Sequence, residues 1–233
     1  MTQVLRMRAL SGLAVAAVLF LAGVAVARPS PVVIELYQSQ GCSSCPPADA
    51  NVNALADRPG LLVLSFGVTY WDGLGWKDTF ADPAYTARQW DYAHGWRRNE
   101  VATPQVVIDG RRDVVGADPR ELEAAIRAVG APTGAMLSLE AARVSIAAGR
   151  APAGGADVWL VRYDPRTLNV AVRRGENGGK TLPHRNVVRT LARLGRWNGA
   201  PLSFALPKPD PVLRTAVLVQ AVGGGPILAA ATL

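Results

Sequence analysis

Both cysteines of the chain stand two residues apart, in Gly41-Cys42-Ser43-Ser44-Cys45-Pro46-Pro47. They fall between a strand-like run, residues 32–37, and a helix-like run, residues 46–56. Cys42 is therefore expected at or just before a helix N-terminus, where unpaired amides and the positive dipole end favour its thiolate. The thiolate is the nucleophile of disulfide exchange. Cys45 follows one helical turn later, close enough to resolve a mixed disulfide formed at Cys42. Pro46 and Pro47 lack N–H groups and suit a first helical turn. Two other chemistries stay open. As a structural bridge, a ring with two intervening residues constrains the unfolded chain only slightly. As soft ligands, two thiolates could take Cu(I) or Zn, with His94 or His184 as a further donor, but neither His has motif spacing to the cysteines. No metal and no cofactor is assigned.

The elements that must hold this pair are legible along the chain. Residues 1–27 read as a cleaved signal peptide: Arg6 and Arg8, then an uncharged Ala/Val/Leu run, then Ala25-Val26-Ala27. A retained membrane anchor is the rival, since 19 apolar residues just span a bilayer. The expected location is periplasmic or secreted, with no stable membrane span after cleavage. Residues 28–131 alternate strand and helix text. Residues 61–66 read as a buried strand and 82–98 as a helix opening on Asp-Pro. Residues 106–115 read as a hairpin turning at Asp109-Gly110, and 118–129 as a helix ending at Gly130. The whole is an α/β domain with a helical insertion over 67–100. The Gly- and Pro-bearing stretch 130–134 looks like a boundary. Residues 135–233 carry short β-branched runs separated by Gly-Gly and Asp-Pro turns, which read as an all-β sandwich. Residues 186–194 have both helical spacing and β neighbours, and are read as a strand.

Within that frame the residues acquire a resemblance. Residues 31–129 resemble a thioredoxin or glutaredoxin domain. More closely, the chain resembles domain-of-unknown-function family 1223, exported bacterial thioredoxin-like proteins. The stretches that carry it are ELYQSQGCSSCPPAD (35–49), YWDGLGWKD (70–78), TPQVVIDGRRDVVG (103–116) and RGENGGKTLPHRNVVR (174–189). It implies an α/β thioredoxin-like domain followed by an all-β sandwich domain, and it implies export. The family pattern places a His ahead of the Tyr-Trp-Asp; here the positions read Gly67-Val68-Thr69-Tyr70-Trp71-Asp72. By analogy with thioredoxin-like domains, Thr103-Pro104 is expected to be cis and to face the disulfide, its backbone free to pair with a substrate peptide.

The candidate catalytic residues are thus Cys42, Cys45 and Pro104. Thr103, Tyr70, Trp71 and Trp76 are candidates for substrate binding, against the alternative that the indoles pack the insertion onto the sheet. Glu35 is either a buried proton acceptor for Cys45 or a solvated strand-edge carboxylate. The polar loop 175–186, with Glu176, Asn177, Lys180 and His184, either folds over the cysteine site and restricts access or ties the second domain together.

Composition removes several classes. A chain of 233 residues that is 49% hydrophobic and 18% charged is not disordered, and two cysteines do not make a disulfide-dense scaffold or a four-cysteine zinc site. Of 25 Lys and Arg only Lys77, Lys180 and Lys208 are Lys, and no basic run reaches five. The net charge of +7 is read as compositional, and nucleic acid is not an expected partner. The expected partners are a protein or small-thiol disulfide and an unidentified electron partner. The rival functions are a non-enzymatic thioredoxin-like protein-binding module and a copper-handling protein.

Overall fold

A run of seven residues buried on both faces, β1 (Val32–Gln38), is the centre of the structure. The computed structural model describes residues 29–132 and 134–233. The signal-peptide reading of residues 1–27 lies outside them. After β1 come α1 (Cys45–Ala54), β2 (Leu61–Gly67), α2 (Pro83–Gly95), β3 (Gln105–Ile108), β4 (Arg112–Val114) and α3 (Pro119–Val129). Then follow β5 (Leu137–Glu140), β6 (Arg143–Ile146), β7 (Ala156–Asp164), β8 (Leu168–Ala171) and β9 (Thr181–His184). The chain closes with β10 (Val187–Trp197), β11 (Leu202–Ala205), β12 (Arg214–Ala221) and β13 (Ile227–Thr232).

Local chemistry sets the boundaries. Asp82 and Asp118 each stand before a proline and accept a backbone N–H two residues on, Ala84 and Arg120, both at 2.8 Å. The β3–β4 hairpin turns on Asp109 and Gly110, both at positive φ. β1 pairs in parallel with β2 and antiparallel with β3. Its side chains alternate between two cores. Ile34 and Leu36 meet α1 and α3 through Val52, Leu122 and Ile126. Val33 and Tyr37 meet the α2 side through Phe66, Tyr85 and Tyr92. α1 and α2 therefore lie on opposite faces of the sheet.

The sheet does not stop at the boundary expected at residues 130–134. Its eight strands run β13-β12-β7-β10-β2-β1-β3-β4. The join is β10 beside β2: Val187 pairs with Ser65, Ser65 N donates to Asn186 O at 3.0 Å, and the Asn186 amide donates to Val63 O at 2.9 Å. This covers an edge of β2 that would otherwise present bare backbone. The strands after residue 135 do form two layers. A three-stranded sheet, β11-β6-β5, packs on the C-terminal strands through Val144, Ile146, Val158, Trp197 and Val219. Its larger layer is the extension of the first sheet rather than a separate one. The fold is a mixed α/β structure with one large mixed sheet and few helices. Of residues 186–194, all but Asn186 are strand, within β10.

Candidate functional site

The turn after β1 delivers the cysteines to the N-terminus of α1. Cys42 N donates to Ser39 O at 3.0 Å, and Cys45 N to Cys42 O at 3.2 Å. Cys42 and Cys45 are disulfide-bonded with Cα atoms 5.5 Å apart. Both are fully buried, while Ser43 and Ser44 between them are exposed. The Thr103–Pro104 peptide is cis. Its Thr103 carbonyl oxygen lies 3.7 Å from Cys42 Sγ and accepts from Ser44 Oγ at 3.4 Å.

Two tryptophans wall this turn, and both spend their N–H inside the protein. Trp71 Nε1 donates to Thr103 Oγ1 at 2.8 Å, tying the segment before Pro104 to the insertion. Trp76 Nε1 donates to Gln40 Oε1 at 2.9 Å. Tyr70 is the more exposed neighbour, with its hydroxyl donating to Gln89 Oε1 at 3.3 Å. Gly67 fixes where the insertion crosses β2: a Cβ there would stand 2.9 Å from the backbone of Phe80 and Ala81.

The loop 175–179 closes the remaining side. Ser43 N donates to Glu176 Oε2 at 3.1 Å, and hydrogen bonding from Ser43 holds that carboxyl below its usual range. Asn177 is buried, and its amide donates to Gln40 O at 3.1 Å and Cys42 O at 2.8 Å. Lys180 Nζ donates to Asn177 Oδ1 at 2.9 Å. Pro46 and Pro47 remove two of the donors a helix N-terminus normally offers. The loop is fastened to the backbone of the cysteine turn, and loosening it is expected to open the disulfide to reagents. Asn177→Ala is expected to cost about 1–3 kcal/mol, because the Gln40 carbonyl loses its donor and the Cys42 carbonyl keeps only the one from Cys45 N, and to speed reduction by dithiothreitol several-fold. Thiol alkylation against time reads the rate and denaturant unfolding reads the stability. An unchanged reduction rate would show that the loop does not limit access.

Two expected accessory residues stand elsewhere. Glu35 is neither beside Cys45 nor solvated. It points to the α2 face, fully buried, with Arg88 Nε 2.8 Å from its Oε1 and the Tyr92 hydroxyl on its Oε2. Strand alternation sends it across the sheet from α1. His184 lies in β9 rather than in the loop. Its neighbours Pro183 and Arg185 bind Asn53, at 2.9 and 3.1 Å. Asn53 is two turns of α1 beyond Cys45, about 12 Å of helix rise. The His184 ring packs edge-on to Phe80, and burial pushes its pKa down to about 4. His94 is exposed at the end of α2, its ring against Trp90.

Three residues of the site went unassigned in the sequence. Gln40 is its hub: besides Trp76 and Asn177 it binds Thr79 and, through its backbone N–H, Asp78 Oδ2 at 2.7 Å. Asp78 is buried and also accepts from Phe80 N at 2.7 Å. Asp49 is buried on α1, one turn past Cys45. Burial, and then the charge of Asp78, push its pKa up to about 8. Its i+4 spacing from Cys45 was the signal available for it.

Comparison with known proteins follows the same lines. Residues 33–220 match the family described as protein of unknown function (DUF1223). No curated protein matches. A structural-genomics protein from Agrobacterium tumefaciens is 30% identical with a TM-score of 0.71, over 88% of this chain and 95% of that one. HBP35 of Porphyromonas gingivalis shares the fold at 12% identity and a TM-score of 0.58, over 88% of this chain and 75% of that one.

Proposed function

Because this chain belongs to the DUF1223 family, whose description assigns no activity, we propose its function from the site: an exported thiol–disulfide oxidoreductase with a thioredoxin-like active part. The observation that carries the reading is the Cys42–Cys45 disulfide at the start of α1 with the Thr103 carbonyl beside Cys42 Sγ. Residues 1–27 supply the leader in this reading. No helix among the described residues is long and apolar enough to cross a membrane.

The exchange runs as follows. A substrate thiolate attacks Cys42 Sγ, the Cys42–Cys45 bond breaks, and Cys45 leaves as a thiolate that takes a proton. A second substrate thiolate attacks the mixed disulfide and Cys42 leaves. The substrate dithiol has become a disulfide, and the protein disulfide has become two thiols. The reverse sequence reduces a substrate, with Cys42 as nucleophile and Cys45 as resolving thiol. Asp49, buried one helical turn past Cys45, is placed to give or take the Cys45 proton. Thr103 and Pro104 offer backbone to the incoming chain, and the loop with Glu176 and Asn177 selects what reaches it. The competing reading, a passive bridge in a binding module, is favoured by the full burial of both sulfurs.

Trapping separates them. With oxidised glutathione as the probe, reduced Cys45→Ser is expected to accumulate a mixed disulfide at Cys42 at least about tenfold faster than reduced Cys42→Ser does at Cys45, since Cys42 is the nucleophile in this reading. Intact-protein mass spectrometry reads the adduct. Equal, slow modification of both variants, with a wild-type disulfide inert to reduced glutathione, would establish the passive bridge.

A further inference from the structure

A groove of about 860 Å³ opens between the insertion and β8. Trp76 and Phe80 form one wall. All four residues of β8 form the other. Successive strand residues point to opposite faces, so a cavity touched by Leu168, Asn169, Val170 and Ala171 together runs along the strand's edge. That edge is open: among the described residues β8 pairs with β9 and with no other strand.

The groove is strongly cationic. Arg166 is neutralised by Asp164 at 2.6 Å. Arg173, Arg174 and Arg189 also line it, are exposed, and form no ion pair among the described residues. The Arg189 guanidinium stacks over Phe80 at 5.1 Å, which holds its fork at the groove. The groove adjoins residues that hold the cysteine turn. Trp76 is bonded to Gln40, Gly75 packs on Gly175, and Arg174 is two residues from Glu176, whose carboxylate sits on Ser43 N.

We infer that this groove binds an extended, acidic polypeptide segment, which adds as a strand to the free edge of β8 with its carboxylates on Arg173, Arg174 and Arg189. Main-chain pairing along a strand edge accounts for affinity, and forked guanidinium–carboxylate contacts account for selectivity. A small anion would use the arginines but leave the strand edge and the length of the groove unused. The inference rests on the exchange reading only in naming the bound segment as part of a disulfide substrate.

The test therefore uses no thiol chemistry. Two fluorescein-labelled peptides, one alternating Glu with Val and one alternating Gln with Val, are titrated into the oxidised full-length protein by anisotropy. The Glu peptide is expected to bind about tenfold more tightly, given several partly exposed pairs. Adding salt should erase that advantage. Arg173→Gln/Arg174→Gln/Arg189→Gln should lose about the same factor. Arg120→Gln/Arg143→Gln/Arg150→Gln removes equal charge outside the groove and should keep full binding. Equal affinity for the two peptides, or equal losses in the two triple variants, would overturn the assignment. So would displacement of the Glu peptide by inorganic phosphate as readily as by unlabelled peptide, since that marks a small-anion site. Binding to a protein whose disulfide proves inert would sink the exchange reading and leave this site standing.

Discussion

Arg88→Met is expected to destabilise the protein by about 3–5 kcal/mol, a large part of the whole stability of an ordinary domain. Arg88 is buried on α2, and its partner Glu35 is buried on β1. Burial works against the guanidinium's charge, but Glu35 beside it more than offsets this and raises its pKa. The arginine also donates to the Tyr92 hydroxyl at 3.2 Å and stacks on Trp159 at 5.4 Å. Removing it leaves a carboxylate in the core with Tyr92 as its remaining donor. The cost comes from that orphaned charge rather than from lost attraction, so Arg88→Met/Glu35→Leu should recover most of it. Denaturant midpoints at constant slope read both effects. A single variant within about 1 kcal/mol of wild type would show that water reaches the pair. The double variant also tests function. Glu35 lies across the sheet from α1, so the folded double variant should keep wild-type exchange with glutathione. Loss of exchange would restore Glu35 as a proton acceptor.

Glu35 also shows where sequence reasoning stops. Most of the first half is written in local rules. Asp82-Pro83 and Asp118-Pro119 open helices, Asp109-Gly110 turns a hairpin, and an apolar run makes β2. The cysteine turn is equally local, since both thiols lie within one turn of chain. β1 is different. It is apolar on both faces, so alternation says that residue 35 opposes residues 34 and 36 without saying which face meets which helix. Its partner is on α2, outside any local pattern. The continuous sheet escaped for a similar reason: β10 joins β2 over a single paired residue, and the Asn186 amide makes the seam. In the loop 175–186 the polar residues signalled a site, and Glu176 and Asn177 do sit on the cysteine turn. His184, expected in the same loop, belongs instead to β9, where Pro183 stands inside a strand. β8 and β9 form only a two-stranded ribbon, so that proline sits at an edge position where it is tolerated.

Asp49→Asn is expected to remove part of the protein's pH dependence, with a sign fixed by burial. In the unfolded chain Asp49 titrates at its usual value near 4. In the fold, burial and then the charge of Asp78 raise it to about 8. Asp78 accepts two backbone N–H groups, which stabilise its charged form, while no such donor serves Asp49 among the described residues. The proton of the pair therefore belongs on Asp49. Between about pH 4 and pH 8 the native state binds a proton at Asp49 that the unfolded state has lost, so stability falls as pH rises. The fall is roughly 1 kcal/mol per pH unit from this group. Asp109, raised by burial to about 7, adds to it with the same sign over the lower part of that range. An asparagine carries no charge to bury, so the variant should unfold with a shallower pH dependence and should gain on wild type most at alkaline pH. Unfolding free energies measured across this range give the two slopes directly. The same substitution carries a second readout. If Asp49 holds the Cys45 proton, glutathione exchange by wild type should change slope near pH 8, and the variant should lose that inflection while keeping its fold. A variant with the wild-type stability slope would place Asp49 in contact with water. A variant with a flattened stability slope and an unchanged exchange profile would make Asp49 a packed neutral acid with no part in the thiol chemistry.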